Sequence, residues 1–477
     1  MTGYYLIAVV ILSLILFLSR DRRLSYLAVW CFILFQWTFT FHVYNHKNQT
    51  ELGYFTFDPL GVIFLVILSL VSVPALYHSY VYFNHHRNIA SERGIYYSAM
   101  LILIASLSAA YLSNHIGVTW IFVELTTLSA SALIYHRRTS RTLEATWKYI
   151  FVCSISITLV FIGILFVSIA IQQEGLKDLS YPALNANASR LNVFWLKLAF
   201  LFIFTGFTAK AGVVPMYTAG IDAKDKAPSP AGALFASVLM NVGFLGIYRF
   251  YAVISHTSVL AWANNILIIA GLLSVFVAAV YILRVKNVKR MLAYSGLEHM
   301  GLVMISLASG GLGYYAAVLH LILHSLAKPV LFFQVGQVYR IYKSKNIYDI
   351  GNYFAYNTSG AMVLLLAYFT ITAMPPSGLF ISEFLIFTSV FESGKFWLLA
   401  IILFLLTLII WSQGKNFFKM IFIKTVGFKE ENIEKIKVTE SVSQFLLLAM
   451  VVYLGLNPPG EMVSLIHEAL QNLPYKK

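Results

Sequence analysis

The chain has 477 residues, of which 59% are hydrophobic and only 11% charged, with a mean hydropathy of +0.76. A soluble domain carries about a quarter charged residues, so this composition excludes one and predicts an all-α membrane protein with a single membrane domain. The net charge of +14 would suggest nucleic acid in a soluble chain, but here it belongs to loops, and no nucleic-acid partner is expected.

Runs of about 20 apolar residues mark membrane spans. They fall at 3–19, 25–43, 59–83, 95–112, 116–136, 148–171, 194–217, 229–254, 258–283, 289–309, 314–339, 360–390, 395–412 and 440–457, about 14 helices. The first run follows no basic segment and ends at no small-residue cleavage site, so it reads as a retained span. The loops test the count. The odd-numbered loops hold 24 of the 34 Lys and Arg, whereas the even loops and both ends share eight. The positive-inside rule then places every odd loop in the cytoplasm and both termini on the outer side. Residues 413–437, which mix Phe and Ile with lysine, read as an amphipathic helix on the cytoplasmic leaflet or as a plain basic loop. Cys31 and Cys153 both lie in apolar runs and are expected to be ordinary buried side chains. No dinucleotide fingerprint, P-loop or metal-spaced His/Cys set occurs, so no cofactor, metal or redox centre is expected.

Two basic residues, Lys210 and Lys328, fall outside the loops. An ionisable side chain at a helix centre costs about 2.5–3.5 kcal/mol. The candidates are Glu124 in TWIFVELTTLSASALIYH, Lys210 in FTAKAGVVP, Glu298 and His299 in YSGLEHMGLV, His320, His324 and Lys328 in VLHLILHSLAKPVLFF, and Glu383 in MPPSGLFISEFLIF. Any one of them alone also fits a structural ion pair or a carbonyl-bonded histidine. As a set, spread over separate spans at similar depth, they exceed what packing requires. His320, His324 and Lys328 recur every four residues and form one stripe, about 12 Å long, on one helix face. Imidazole takes and gives a proton near neutrality, and a buried lysine changes charge state with its neighbours. The pattern points to proton translocation through buried Glu, Lys and His.

Prolines mark two breaks, at Pro215 and at Pro375-Pro376. A freed backbone group inside a membrane needs protein or water beside it. The broken spans are the seventh and the twelfth. An odd separation makes them antiparallel, the pattern of two inverted five-helix repeats with broken helices near the midplane. A kink without function is the plainer alternative. The segments so delimited are 1–93, three helices; 94–256, the first repeat; 257–412, the second; and 413–477, the amphipathic segment and last helix.

VELTTLSASALI, AKAGVVPMYT…DAKDKAPSPAGAL, VKNVKRMLAYSGLEHMG, HLILHSLAKPVLFF and PPSGLFISEFLIF occur in that order over 110–390. Together they resemble the antiporter-type membrane subunits of respiratory complex I, the Mrp cation/proton antiporters and the membrane-bound hydrogenases. SGLEHMG is most similar to the F component of hydrogenase 4. The resemblance implies proton half-channels meeting at a midplane row of charge. The family's essential glutamate matches Glu124, and its broken-helix lysine matches Lys210, implied to pair with Glu124. The helix before the second break matches at His320, His324 and Lys328, and the second broken-helix charge matches Glu383. Two departures stand out. The family's eighth-helix lysine or histidine is here Asn241, and the loop after Pro215 reads Thr218-Ala219-Gly220-Ile221-Asp222-Ala223-Lys224 without the usual Trp, Pro and His.

The implied function is a proton-translocating subunit of a complex I-like or hydrogenase-like oxidoreductase in a bacterial or archaeal cytoplasmic membrane. It would have no redox centre of its own, so whether it counts as an enzyme depends on its partners. Those partners would be other membrane subunits and a soluble cytoplasmic arm, and the carried ion H+ or Na+. A redox-independent cation/proton antiporter subunit, a membrane subunit for proton-coupled inorganic-carbon uptake, and a structural membrane anchor are the alternatives.

Overall fold

The computed structural model describes residues 1–19, 21–85, 90–425, 428 and 433–474. In chain order the helices are α1 (Thr2–Leu18), α2 (Arg22–Asn45), α3 (Pro59–His85), α4 (Ala90–Leu112), α5 (Ile116–Ile134), α6 (Ser140–Gln173), α7 (Tyr181–Asn187), α8 (Val193–Ala211), α9 (Thr218–Lys226) and α10 (Ser229–Phe235). They continue as α11 (Val238–Ser255), α12 (Leu260–Ile282), α13 (Val288–Ser309), α14 (Leu312–Tyr342), α15 (Tyr353–Tyr356), α16 (Thr358–Ile371), α17 (Gly378–Glu392), α18 (Phe396–Phe422), α19 (Thr439–Leu456) and α20 (Gly460–Ala469). A two-stranded hairpin, β1 (Thr50–Glu51) with β2 (Phe55–Thr56), lies between α2 and α3.

Among the described residues, twelve helices are long and apolar enough to cross a membrane. The other two apolar runs are α1, one residue short of that length, and the broken run α16–α17. The chain is therefore an all-α polytopic membrane protein. Residues 413–422 are the continuation of α18, and the described residues from 423 to 438 are not helical, so no separate amphipathic helix forms over 413–425. α18 runs on through the polar stretch 412–416 to Phe422, with Gln413, Gly414, Phe417 and Ile421 buried on one side. Residues 426, 427 and 429–432 of that segment lie outside the described residues.

The chain divides into two compact units. The first comprises Met1–Ala227, Val238–Ile266 and Ser464–Lys477. Here α6 lies along α8, α11 packs on the other side of α8, and α4 joins α5 to α1. α6 starts at a capping box in which Thr139 and Thr142 exchange side-chain and backbone bonds. α8 stops at Ala211 because Gly212 takes the left-handed conformation (φ 73°) and its N–H returns to the Thr208 carbonyl. The stop thus comes four residues before Pro215, which lies in the connecting loop. Gly243 lets α11 touch that stop, since a Cβ there would lie 2.1 Å from the Ala211 nitrogen.

The second unit comprises Pro228–Ser237 and Leu267–Val463. Its centre is α14, buried along nearly its whole length and packed by α10, α13, α16, α17 and α19. α14 runs through Pro329, whose missing N–H cannot bond the Ser325 carbonyl one turn back. α16 stops at Ile371. Pro375 and Pro376 lie in the loop that follows, and α17 starts where the Ser377 hydroxyl accepts from the Phe380 amide.

Candidate functional site

The first unit gathers Glu124 from α5, Tyr149 and Cys153 from α6, and Lys210 from α8. Lys210 is buried and occupies the last turn of α8, where a cation complements the helix dipole. Its Nζ donates to the Tyr149 hydroxyl at 3.0 Å. The expected pairing of Lys210 with Glu124 is not direct. Glu124 is half-buried, and its Oε2 accepts from Thr127 at 3.1 Å. It acts on Lys210 only through space, without a hydrogen bond between them. Tyr149 lies on a different helix from either charge, which is why sequence spacing did not find it.

Asn241 is fully buried on α11, two residues before the glycine that abuts the end of α8. One residue before it, the Met240 sulfur lies 3.2 Å from the Nζ of Lys224. Lys224 reads from the sequence as a loop charge, but it is 3% exposed on α9. Burial lowers its ammonium pKa to about 8. Asp225 beside it is buried too and bonds Lys226 at 2.7 Å. The only sequence signal was a short Ala-containing segment between Pro215 and Pro228.

Arg249 is one of the eight basic residues that the sequence count assigns to the even loops and the ends, but the structure places it, buried, within α11. One guanidinium nitrogen donates to Asp58 Oδ1 at 2.7 Å and to the Tyr111 carbonyl at 2.6 Å; the other donates to the Ser113 carbonyl at 2.5 Å. The pair lines a cavity of about 510 Å3 together with Tyr181, Asn114, His256 and Glu468.

The second unit brings six of the expected residues together on three helices. α13 supplies Glu298 and His299, α14 supplies His320, His324 and Lys328, and α17 supplies Glu383; all are buried. Nδ1 of His299 lies 3.1 Å from Nε2 of His320, and 3.7 Å from Oε1 of Glu383. The His299 and His324 rings lie 5.0 Å apart, centroid to centroid. Nδ1 of His320 lies 3.0 Å from the Ser382 hydroxyl, which itself donates to the Leu379 carbonyl. The network therefore assigns the polarity. His320 donates from Nδ1 to Ser382, which leaves its Nε2 lone pair to accept from His299. Lys328 donates to Ser295 at 3.0 Å, and the carboxylate whose charge acts on it is Glu298. Glu383 meets the histidine end of the stripe, through His299, rather than its lysine end.

A second polar column lies further along α14: Gln334, Gln337 and Arg340 follow at intervals of three, which turns them away from the histidine face. Gln334 bonds Gln444 at 2.6 Å and Tyr353 at 3.0 Å, and Asn357 links Tyr353 to Gln337. Arg340 bonds Glu440 at 2.6 Å and Glu434 at 2.7 Å. Polar residues recurring every three positions in an apolar helix are the signal that could have found this column. Among the described residues, one cluster also has the donors for a metal ion: one atom each from His299, His320 and Glu383, all within 4.8 Å of one another.

Residues 113–409, which span every position from Glu124 to Glu383, match the family described as NADH:quinone oxidoreductase/Mrp antiporter, TM (transmembrane). The chain is similar to the hydrogenase-4 component F homolog of Methylacidiphilum infernorum (isolate V4), 30% identical over 354 residues that cover 72% of this chain and 74% of that one. Its fold is similar to a chain of the Mrp complex from Dietzia sp. DQ12-45-1b, with a TM-score of 0.84, 16% identity, and 99% and 96% of the two chains covered. It is likewise similar to a chain of respiratory complex I from Thermus thermophilus with bound NADH, with a TM-score of 0.82, 18% identity, and 98% of each chain covered.

Proposed function

We propose that this chain, which belongs to the NADH:quinone oxidoreductase/Mrp antiporter transmembrane family, carries protons across an energy-transducing membrane as one subunit of a larger membrane complex. The observation that supports this best is the branch at His299. Its Nδ1 bonds His320 at 3.1 Å, and Glu383 lies 3.7 Å away, within reach of a small shift. With Glu383 ionised, the carboxylate draws that proton; with Glu383 protonated, the proton belongs to the His320 bond. Ser382 holds His320 in the tautomer that can accept it. Lys328 and Glu298, at the other end of the stripe, bias the branch by their charges.

The cluster is rich in nitrogen donors. Hard cations such as Na+ take oxygen cages, so the chemistry favours H+ as the carried ion. In the first unit, Lys210 is read as a proton store beside Tyr149, within the field of Glu124. Lys224 is read as supplying the cation that the family places on the eighth helix and that Asn241 lacks. The two helix breaks, at Gly212 beside Pro215 and at Ser377 after Pro375-Pro376, are read as the places where water enters the relay.

The basic odd-numbered loops support a cytoplasmic position for those loops and an outer position for both termini. The relative named as a hydrogenase-4 component F homolog favours an oxidoreductase as the partner set over a redox-independent antiporter or an inorganic-carbon uptake system. Mild solubilisation and mass spectrometry of the copurifying subunits tests that choice. The proton reading is tested on the copurified complex in proteoliposomes. His299→Gln is expected to abolish internal acidification while assembly persists, and unchanged acidification overturns it.

A further inference from the structure

The geometry points to a second use of the same corner: His299, His320 and Glu383 form a binding site for a borderline divalent transition metal, with Zn2+ the best match, and the bound ion arrests proton movement in this unit. The arrest rests on the proton reading above; the binding does not.

The donor set is two imidazole nitrogens and one carboxylate oxygen, the ligands Zn2+ takes when it keeps a fourth position for water. The spacing suits it. Two nitrogens each 2.0–2.1 Å from a tetrahedral ion lie about 3.4 Å apart, and here they are 3.1 Å apart, with the carboxylate oxygen 3.7 Å from one of them. All three donor atoms lie within 4.8 Å of one another, so closing on an ion takes side-chain shifts of about an ångström.

The surrounding bonds also suit it. A ligating histidine almost always donates its other ring N–H to an oxygen, which fixes the tautomer. His320 does so, because its Nδ1 faces Ser382 and the Ser382 proton is directed to Leu379. The Nε2 lone pair is thereby presented to the ion. His299 must move its proton from Nδ1 to Nε2 to ligate. The move gives up the Nδ1–H bond to His320, whose lone pair the ion then takes, and no bond on the buried Nε2 has to be broken; the Ile371 carbonyl lies near the ring as an acceptor. The imidazole stays neutral throughout. Glu383 is the one ligand with exposed surface, its side chain 9% accessible against 0% for His299, so the ion approaches from the Glu383 side. Once seated, it occupies the two nitrogens and the oxygen between which the proton is shared. Na+, Mg2+ and Ca2+ prefer oxygen donors and are not expected to compete.

The test uses the purified full chain in detergent, with Zn2+ titrated against a chromogenic chelator and Co2+ as the spectroscopic probe. One tight Zn2+ per chain is expected, with a tetrahedral Co2+ absorption band. His320→Gln and Glu383→Gln should each weaken binding by on the order of tenfold or more. His42→Gln is the control, because His42 lies beside Glu51 and the stacked His46 and is a rival site; it should leave the tight site unchanged. If a variant misfolds on size exclusion, X-ray absorption of the Zn2+-loaded wild type still reports whether two imidazoles and an oxygen ligate. The site is overturned if all binding is lost with His42→Gln, if His320→Gln and Glu383→Gln leave the tight site unchanged, or if the absorption shows another ligand set. Proton flux in proteoliposomes separates the two readings. Wild type that binds Zn2+ yet moves no proton when metal-free sinks the proton reading and leaves the site standing. Flux indifferent to bound Zn2+ overturns the arrest.

Discussion

The Nδ1 of His299 and the Nε2 of His320 lie 3.1 Å apart, so α13 and α14 are joined by a bond between two buried imidazoles. Ser382 sets the direction of that bond from a third helix. We expect Ser382→Ala to cost about 1–3 kcal/mol in stability, since it leaves the buried His320 N–H without its acceptor. Proton flux should fall with it. Added to His320→Gln, the same change should cost little more, because residues in one network couple. Strictly additive losses in log flux would show that the hydroxyl does not act through His320.

Lys210 depends directly on Tyr149 and only at a distance on Glu124. Tyr149→Phe removes the hydroxyl acceptor of a buried ammonium, a bond of the charged class worth about 1.5–3 kcal/mol. We expect Tyr149→Phe to slow proton flux more than Glu124→Asp does, with both variants assembling at wild-type yield. Lys210→Ala should abolish flux. A Tyr149→Phe protein indistinguishable from wild type in proteoliposomes would put the tyrosine outside the relay.

Lys224 makes a pH-dependent contribution of known sign. Burial lowers its pKa from 10.5 to about 8, so the unfolded chain binds more protons between those values and stability rises with pH across that window. The charged lysine therefore burdens the fold below about pH 8. A shift of this size is worth on the order of 3 kcal/mol. Lys224→Met should raise Tm at pH 7, and its advantage should shrink as pH approaches 10. Differential scanning fluorimetry at several pH values checks this, and a pH-independent Tm difference would contradict it.

Lys224 also approaches α11 one residue from Asn241. If it supplies the cation that Asn241 lacks, Lys224→Ala should cut proton flux severely, and Asn241→Lys in the same protein should restore much of it. Asn241→Leu alone should slow flux, because an apolar side chain cannot hold the water a relay needs. Failure of the second-site lysine to rescue an assembled protein would separate the two positions.

Arg249 carries bonds to Asp58 and to the Tyr111 and Ser113 carbonyls. Arg249→Met strips all of them at once and leaves Asp58 without its ion-pair partner, a loss of about 3–5 kcal/mol. Asp58→Asn should cost less, since the carbonyls still hold the guanidinium. Tm and assembled yield of the two variants measure the order. A milder effect for Arg249→Met would mean that the carbonyl bonds contribute little.

The apolar runs, the two breaks and the His320–His324–Lys328 stripe were legible because each is periodic or local. Membrane thickness sets the run length, and helical pitch puts every fourth residue on one face. Period says which residues share a face, but not what that face meets. Pro329 sits mid-helix without ending α14, while Gly212, not Pro215, ends α8, because packing around the backbone decides where a freed group is tolerated. That His299 rather than Lys328 meets Glu383, that Tyr149 rather than Glu124 takes the Lys210 bond, and that Lys224 and Arg249 are buried all depend on contacts between distant segments. Tens to hundreds of residues separate these partners along the chain, and side-chain reach is a few ångströms, so only the packing of one helix on another could choose among them.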